Sequence, residues 1–260
     1  METRILVACP TFEGMKYCQD KFFEQIKNLT YPNYDILILD NSKTEDYFKE
    51  LSKIEGIKVI HDNAKEEKSI FRLISSRNKI LEYGVENGYS HILMLDSDVV
   101  PPKEIIEELL KCNKDIVSGV YFNYFNISGK RKYLPVAWAL FTEEEFDALK
   151  REYPHLSNFK TREDLKRHLT QEEIDSDKLY EVAVPSAGCM LLTRAVFEKA
   201  RYGKFKEKGA DDDIFFINQA KELGFHPYCN TKVKCDHLIL EKYKKDKHGN
   251  LVHSSFSDLV

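Results

Sequence analysis

The stretch Ile92-Leu-Met-Leu-Asp96-Ser-Asp98-Val-Val-Pro101-Pro102 passes from an apolar run through two aspartates to a proline pair. Four apolar residues in a row have the length and character of a β-strand that is buried on both faces. A proline pair suits the first turn of a helix, and residues 103–112 then place apolar side chains at helical spacing. The stretch therefore predicts a strand, a polar loop and a helix, in the order that an α/β protein repeats.

The same alternation of strand and helix patterns runs through the first half of the chain. Further strand-length apolar runs occupy residues 5–9, 36–39, 57–60 and 116–120, and amphipathic helical patterns occupy residues 17–29 and 69–83. Strands that alternate with helices predict βαβ units with right-handed crossovers. We therefore expect an α/β fold with a mostly parallel central sheet and helices on both faces.

Residues 142–180 form a charged segment that differs from the rest of the chain. Thr142 followed by three glutamates predicts a capped helix start, and residues 163–169 indicate a second short helix. We expect a solvated helical insertion here, with a lid or acceptor platform as the functional alternative. Strands at 180–184 and 189–193 and a helix at 213–223 follow. Because there is no internal repeat or linker, residues 1–260 are expected to form a single domain.

The charge of the chain is nearly balanced. The 260 residues carry 39 Lys and Arg against 43 Asp and Glu, a net charge of −4, and 42% of the residues are hydrophobic. That apolar content excludes disordered and fibrous proteins. The balance excludes a general electrostatic footprint for nucleic acid or an anionic membrane, although a local basic patch stays open.

The cysteines and the apolar runs bear on the compartment. Six cysteines are scattered without a Cys-x-x-Cys pair, and no apolar run approaches the length of a membrane span. The first apolar run is stopped by Pro10, which makes it too short for the core of a signal peptide. We expect a reduced cytoplasmic protein with free thiols and no transmembrane segment.

Polar residues follow the predicted strands at the edge where parallel α/β sheets bind ligands. Pro10-Thr11-Phe12-Glu13 follows the first strand, Asp40-Asn41-Ser42 the second and Asp96-Ser97-Asp98 the fourth. No glycine-rich phosphate loop is present. Asp96 and Asp98 can instead face one hard cation, Mn²⁺ or Mg²⁺, which leaves positions for phosphate oxygens. The alternative is a pair of turn carboxylates that start the next helix.

Three other features are ambiguous by themselves. Asp211, Asp212 and Asp213 suit either helix capping or a general base, because one cap explains one aspartate and not three. Arg77 opens a helix and lies on its surface by default, or pairs with a phosphate. His237 is a single histidine near the end of the chain, and two further ligands for a structural zinc site with Cys235 are missing.

Taken in order, these segments resemble the family 2 glycosyltransferases with the GT-A fold, a Rossmann-like sheet. The resemblance rests on the Pro10-Thr11-Phe12-Glu13 loop, Asp40-Asn41-Ser42, Arg77-Asn78, Asp96-Ser97-Asp98, the strand that starts at Gly188, Asp212-Asp213 and finally His237. It covers residues 4–140 and 180–238. It implies a nucleotide-binding half at 1–100, an acceptor and catalytic half at 101–240 with the insertion at 142–180, and a tail at 241–260.

The resemblance implies that a sugar passes from a UDP- or GDP-sugar to an acceptor hydroxyl with the help of Mn²⁺ or Mg²⁺. The acceptor is a glycan, a lipid-linked molecule or a small molecule, and peripheral membrane contact stays open. By the family pattern Asp213 is the general base. Asp212 replaces the usual glutamate before it, so that the roles of Asp212 and Asp213 relative to each other stay open. Inversion at the anomeric carbon is expected by analogy. The remaining implied roles are nucleotide binding by Pro10, Thr11, Glu13, Asp40, Arg77, Asp96 and Ser97, metal binding by Asp98 and His237, and acceptor binding by Trp138 and Gly188.

Two rival interpretations remain. The stretch from Ile92 to Val100 imitates the nucleophile motif of haloacid dehalogenase-type phosphatases, with Asp96 as the nucleophile, but that motif usually lies on the first strand. The other rival is a binding module that holds a nucleotide sugar without catalysis, because its Asp212-Asp213 pair is altered. For Trp138, packing in the core is an equal alternative to stacking on an acceptor sugar.

Overall fold

A computed structural model describes residues 3–63, 68–127, 129–162, 165–205 and 212–239, and the backbone of 243–245 and 251–253. Its main feature is an eight-stranded sheet in the order β11-β13-β6-β12-β4-β1-β2-β3. The strands are β1 Ile5–Thr11, β2 Tyr34–Asp40, β3 Lys58–His61, β4 His91–Leu95, β5 Val99–Val100, β6 Ile116–Val120, β7 Phe122–Ile127, β8 Lys130–Pro135, β9 Trp138–Leu140, β10 Lys166–His168, β11 Leu179–Glu181, β12 Cys189–Thr193, β13 Pro227–Lys234, β14 Asp236–His237, β15 Tyr243–Lys245 and β16 Leu251–His253.

Helices cover both faces of this sheet. They are α1 Gln19–Lys27, α2 Asp46–Leu51, α3 Ser69–Glu86, α4 Ile105–Leu110, α5 Glu143–Glu152, α6 Gln171–Asp175, α7 Arg194–Phe197 and α8 Asp212–Glu222. Successive residues of β1 enter different cores, because side chains alternate across a strand. Ile5 and Val7 pack with α1 and α4, whereas Leu6 and Ala8 pack with α3, α7 and α8.

The pairing of the strands confirms an α/β fold with a mostly parallel sheet. Strands β4, β1, β2 and β3 are parallel neighbours, and β13 runs parallel to β6. Strand β12 is antiparallel to both β4 and β6, and β11 is antiparallel to β13. The carboxyl ends of β1, β2 and β4 therefore lie along one edge, which is the edge that carries the candidate site.

The charged segment 142–180 is only partly helical. Helices α5 and α6 each begin with a capping box, Thr142 with Glu145 and Thr170 with Glu173. The predicted helix over 163–169 is wrong in its described part, because β10 pairs there with β9. A three-residue strand has no periodicity of its own, so that only its distant partner determines it. Among the described residues, no helix is long and apolar enough to cross a membrane.

Candidate active site

A cleft of about 400 Å³ opens at the carboxyl edge of the sheet. It lies between the loops after β1, β2 and β4 and the first turns of α3. The residues that line it are Pro10, Thr11, Phe12, Met15, Asn41, Ser69, Ile70, Arg72, Leu73, Arg77, Asp96, Ser97 and Asp98. Of the seven residues predicted to bind a nucleotide, five therefore line one cleft: Pro10, Thr11, Arg77, Asp96 and Ser97.

The loop after β1 forms one wall of the cleft. Thr11 is buried, whereas the ring of Phe12 is 43% exposed and lies over Gly14. Glu13 is exposed and is not part of the cleft lining; its backbone N–H donates to Ser42 Oγ at 2.9 Å. A hydrogen bond with Ser42 lowers the pKa of the Glu13 carboxyl. Glu13 thus lies at the rim and connects the first loop to the second.

Asp40 lies behind the cleft and not in its lining. Its side chain is fully buried, Oδ1 accepts hydrogen bonds from Ser42, and Oδ2 lies 2.7 Å from His61 Nδ1. The register of the parallel strands explains this contact, because Asp40 at the end of β2 pairs with His61 at the end of β3. The next residue, Asn41, lines the cleft in its place.

Arg77 joins two acidic groups that are far apart in the sequence. Its Nη2 donates to Asp96 Oδ1 at 2.8 Å and its Nη1 donates to Asp212 Oδ2 at 2.7 Å. The guanidinium is buried and lies 5.2 Å from the centre of the Tyr202 ring. Burial alone lowers the pKa of Arg77, but the two carboxylates outweigh it and raise that pKa well above its usual range. Arg77 is therefore not on the helix surface.

Asp98 and His237 face each other at the other end of the cleft. Asp98 Oδ2 lies 3.4 Å from His237 Nε2, and His237 Nδ1 hydrogen bonds with the carbonyl of Phe122 at 2.8 Å. Their strands, β5 and β14, are paired, which brings the end of the described chain to the Asp96-Ser97-Asp98 loop. Burial alone lowers the pKa of His237, but the hydrogen bond with Asp98 and its charge outweigh it and raise that pKa.

Gly188 is in close contact with the Asp96 side chain. A Cβ atom at this position would lie 2.7 Å from Asp96 Oδ2 and 2.9 Å from the hydroxyl of Tyr121. The Asp96 N–H also donates to the Gly188 carbonyl at 3.0 Å. Burial, followed by the charge of Asp96, raises the pKa of Tyr121 well above its usual range. Gly188 thus leaves room for the Asp96 carboxylate.

The two predicted catalytic aspartates begin helix α8 and have different surroundings. Asp212 is 4% exposed, and its carboxylate is held by Arg77. Asp213 is partly exposed, and its Oδ1 accepts a hydrogen bond from the N–H of Ile214 at 2.8 Å. The third aspartate of the sequence, Asp211, lies outside the described residues.

Trp138 lies on β9 and does not line the cleft. Its ring centre is 5.0 Å from that of His168 and 5.8 Å from that of Phe125, in an edge-on contact. Of the predicted site residues outside the lining, Gly188, Asp212 and His237 each contact a residue of the lining, and Asp213 follows Asp212. Trp138 is away from the cleft, whereas Glu13 at the rim and Asp40 behind the cleft both contact Ser42.

Comparison with known protein families identifies the family of this chain. The model of the family described as Glycosyl transferase family 2 matches residues 18–201, well over half of the chain. The chain belongs to this glycosyltransferase family. This match confirms the resemblance stated from the sequence. It gives no support to the interpretation of Asp96 as a phosphatase nucleophile. No curated protein sequence matches the chain significantly.

Solved glycosyltransferase structures share the fold. The crystal structure of GalNAc-T7 with UDP, GalNAc and Mn²⁺ is 12% identical, with a TM-score of 0.60 over 90% of this chain and 44% of that one. Mannosyltransferase PcManGT from Pyrobaculum calidifontis, in complex with GDP-Man and Mn²⁺, is 11% identical, with a TM-score of 0.53 over 96% and 59%. The fold of this family 2 member is thus GT-A. The chain spans only about half the length of these two structures.

The residues around Asp98 suit a divalent cation. Within the described residues, no three or more His, Cys, Asp or Glu side chains converge in a metal site. Asp98 and His237 nevertheless present one oxygen and one imidazole nitrogen to each other, and the Phe122 carbonyl holds the other nitrogen of His237. A carboxylate and an oriented imidazole are among the ligands that Mn²⁺ accepts, so that these two side chains would suit such a cation.

Several residues near the site were not among those predicted from the sequence, and three of them contact other residues of the site. Asn41 and Arg72 line the cleft, and Arg72 Nε donates to the Asn41 carbonyl at 3.1 Å. Tyr121 lies against Gly188 and His237. Asn41 follows Asp40 at a strand end, and that position could have indicated it as a site residue. Tyr121 and Arg72 have no such signal, because each is positioned by strands and loops that are distant in the sequence.

Proposed function

We propose that the protein transfers a sugar from a nucleotide-diphosphate donor, a UDP- or GDP-sugar, to an acceptor hydroxyl. The observation that carries this proposal is the pair of Asp98 and His237, 3.4 Å apart at the end of a cleft that Asp96, Ser97 and Arg77 also line. Family membership supports glycosyl transfer as the chemistry. The GT-A structures of similar fold contain nucleotides or a nucleotide sugar with Mn²⁺.

The nucleoside of the donor binds between the first loop and α3. Pro10, Thr11 and Phe12 supply one wall, and Asn41 and Arg72 also line the cleft. Asp40 supports this site indirectly, because it holds Ser42, and Ser42 in turn accepts a hydrogen bond from the N–H of Glu13. Asp96, kept in place by Arg77, faces the ribose, and the diphosphate extends towards Asp98.

Asp98 and His237 hold a divalent cation, Mn²⁺ or Mg²⁺. When bound, such a cation offsets the negative charge that develops on the departing nucleoside diphosphate. The protein keeps these two side chains in place through neighbours that are already paired. The Phe122 carbonyl fixes the tautomer and orientation of His237, and the β5–β14 pairing fixes its distance from Asp98.

Asp213 acts as the general base that removes the proton from the attacking hydroxyl. Asp212 is excluded from this role by its burial and by its ion pair with Arg77. Asp213, one residue further along α8, is partly exposed and belongs to the same acidic cluster. The backbone N–H of Ile214 donates to Asp213 Oδ1 and orients the carboxylate. Direct attack from the face opposite the leaving group inverts the anomeric carbon.

The acceptor side is formed by the second half of the chain. Gly188 lies beside Asp96 and leaves space there, and Trp138 and its aromatic neighbours lie further from the cleft. We propose that both halves, 1–100 and 101–240, work as one domain. The six free thiols suit a reducing compartment, and we therefore propose a cytoplasmic location.

A panel of nucleotide sugars with Mn²⁺ tests the function. Wild-type protein is expected to bind one donor and release its nucleoside diphosphate, faster when the acceptor is supplied. Asp98→Ala is expected to lose metal-dependent release, whereas Asp147→Ala, at an exposed position of α5, leaves it unchanged. Donor binding without any release identifies a non-catalytic binding module instead. If no donor binds and none is consumed, the proposal fails.

A further inference from the structure

The hairpin of β7 and β8 forms a two-stranded sheet of its own, separate from the central sheet. Among the described strands, these two pair only with each other, in full register from Phe122 opposite Pro135 to Ile127 opposite Lys130. Six residues of extended chain span about 20 Å. The burial decreases along the hairpin, from Pro135 at its base to the exposed Ile127 and Lys130 near its turn. Further in, Phe125 packs against other strands, with its ring centre 5.8 Å from that of Trp138 and 4.7 Å from that of His168. The exposed part of the hairpin is therefore its tip, with Ile127 and residues 130–132.

The net charge of this hairpin is opposite in sign to that of the chain as a whole. Residues 122–135 contain three cations, Lys130, Arg131 and Lys132, and no Asp or Glu, in a chain with a net charge of −4. All three cations are exposed. Ile127 beside them is one of the large apolar side chains that the protein leaves exposed, at 36%. The far end of the hairpin is thus a local basic patch with an apolar side chain in it.

Aromatic rings occupy the next positions towards the base. The ring centre of Tyr133 is 4.9 Å from that of Tyr124 and 5.4 Å from that of Phe122. The guanidinium of Arg131 lies 4.1 Å from the centre of the Tyr124 ring. Tyrosine rings combined with Lys and Arg form the composition that proteins place at the boundary between water and lipid, where each side chain has one apolar part and one polar part.

We propose that the far end of the β7–β8 hairpin docks the protein on an anionic phospholipid surface. Charge complementarity favours this partner, because lysines and arginines near an anionic bilayer each contribute to binding, whereas the rest of the acidic protein is repelled. Ile127 supplies an apolar side chain for the boundary region. A bilayer matches a tip whose basic and apolar side chains are exposed together.

Docking through this hairpin places the candidate active site near the membrane. The base of the hairpin is directly at the site, because the Phe122 carbonyl lies 2.8 Å from His237 Nδ1. The tip is thus separated from Asp98 and His237 by about the length of the hairpin. Resting on the proposed function, this geometry points to an acceptor hydroxyl that a membrane lipid carries.

Co-sedimentation with vesicles, without donor or metal, tests the docking. Vesicles of phosphatidylcholine containing phosphatidylserine are compared with vesicles of phosphatidylcholine alone, at low and high salt. The test variant combines Lys130→Gln, Arg131→Gln and Lys132→Gln. The matched control combines Lys27→Gln, Lys53→Gln and Lys178→Gln, three exposed lysines at other places on the protein. A second variant, Ile127→Ser, changes the apolar contact alone, and circular dichroism verifies that each variant is folded.

Wild-type protein and the control are expected to bind only the vesicles with phosphatidylserine, and high salt weakens that binding. The hairpin variant is expected to bind about 100-fold less, since it loses three charges at the surface, and Ile127→Ser binds severalfold less. Equal binding by the hairpin variant and the control overturns the proposal, as does absence of vesicle binding. Nucleoside diphosphate release in solution stays unchanged in the hairpin variant, so that failure of docking and failure of the proposed function are separate results.

Discussion

Arg77 and Asp212 form an ion pair of 2.7 Å across 135 positions of the sequence, inside the protein. The same guanidinium donates to Asp96 at 2.8 Å. Helix α3 therefore carries one cation that holds both the loop after β4 and the first turn of α8. Two acidic elements of the candidate site are kept together by a residue that we place in a positioning role.

Removal of this cation is expected to destabilise the fold. Arg77→Met leaves the carboxylates of Asp96 and Asp212 without their common partner, and loss of one member of a buried ion pair costs about 3–5 kcal/mol. Because burial raises the pKa of the Asp96 carboxyl, Asp96 takes up a proton in mild acid more readily than an ordinary aspartate. The loss is therefore expected to be larger at neutral pH than in mild acid. Urea unfolding at the two pH values measures the difference.

The double variant Arg77→Met with Asp212→Asn serves as the matched control. It removes the cation together with one of its carboxylates, so that it is expected to be more stable than Arg77→Met alone. If Arg77→Met unfolds at the same urea concentration as wild type, the ion pair does not hold these elements together.

Asp213 and Asp212 are expected to differ in kinetics. Asp213→Asn removes the proposed base, which lowers kcat by about 10²–10⁴ and leaves the dissociation constant of the donor nearly unchanged. Asp212→Asn breaks the ion pair with Arg77 and is expected to reduce mainly the free energy of unfolding. Steady-state kinetics and donor titrations separate the two effects. Near wild-type kcat in Asp213→Asn would assign the base elsewhere.

Gly188→Ala tests the space beside Asp96. The added Cβ lies 2.7 Å from Asp96 Oδ2 and 2.9 Å from the Tyr121 hydroxyl, so that at least one of these side chains has to move. Overpacking of this kind costs about 1–3 kcal/mol, and donor affinity is expected to fall because Asp96 is displaced. Adding Tyr121→Phe removes one of the two contacts and is expected to recover part of the loss. Titration with the donor nucleotide measures both variants, and wild-type affinity in Gly188→Ala contradicts the proposed position of the donor.

Asp62 makes the stability of the folded protein depend on pH, independently of the reaction. Burial alone raises the pKa of Asp62, but hydrogen bonds from Lys79, Ser76 and Ser75 outweigh it and lower that pKa below 3.8. A depressed folded-state pKa stabilises the protein at pH above the ordinary value, and this contribution disappears as the pH falls through the folded-state pKa.

Asp62→Asn is therefore expected to reduce the free energy of unfolding by about 1–3 kcal/mol at neutral pH and by much less at strongly acid pH. Asp147→Asn, at an exposed position of α5, is the control that changes neither value. Urea unfolding as a function of pH gives the comparison. A constant difference between Asp62→Asn and wild type at all pH values would show that the charge of Asp62 does not matter.

The sequence predicted the central sheet well because its strands are buried on both faces. The runs at 116–120 and 189–193 coincide with β6 and β12 at both ends. Residues 163–169 were misinterpreted, since a charged segment has no apolar period from which a short strand could be recognised. The β7–β8 hairpin was not predicted either, because residues 122–127 and 130–135 do not alternate apolar and polar side chains.

The candidate site was only partly accessible from the sequence. Strand ends correctly indicated Thr11, Asp96 and Ser97 as cleft residues. The resemblance, and not any local pattern, connected Asp98 with His237. The burial of Asp40 depends on His61, its neighbour in the parallel register, which no residue near Asp40 in sequence reveals. Likewise, only the folded structure shows that Arg77 on α3 holds Asp212 at the start of α8.

The most direct test of the central claim is a double-mutant cycle on donor binding. The dissociation constant of the nucleotide-sugar donor is measured with and without Mn²⁺ in wild type, Asp98→Ala, His237→Ala and the double variant. We predict that each single change removes most of the Mn²⁺ enhancement and that the double variant is hardly worse than either, because both residues hold one cation. Additive losses, or an unchanged Mn²⁺ enhancement in either single variant, would contradict the account.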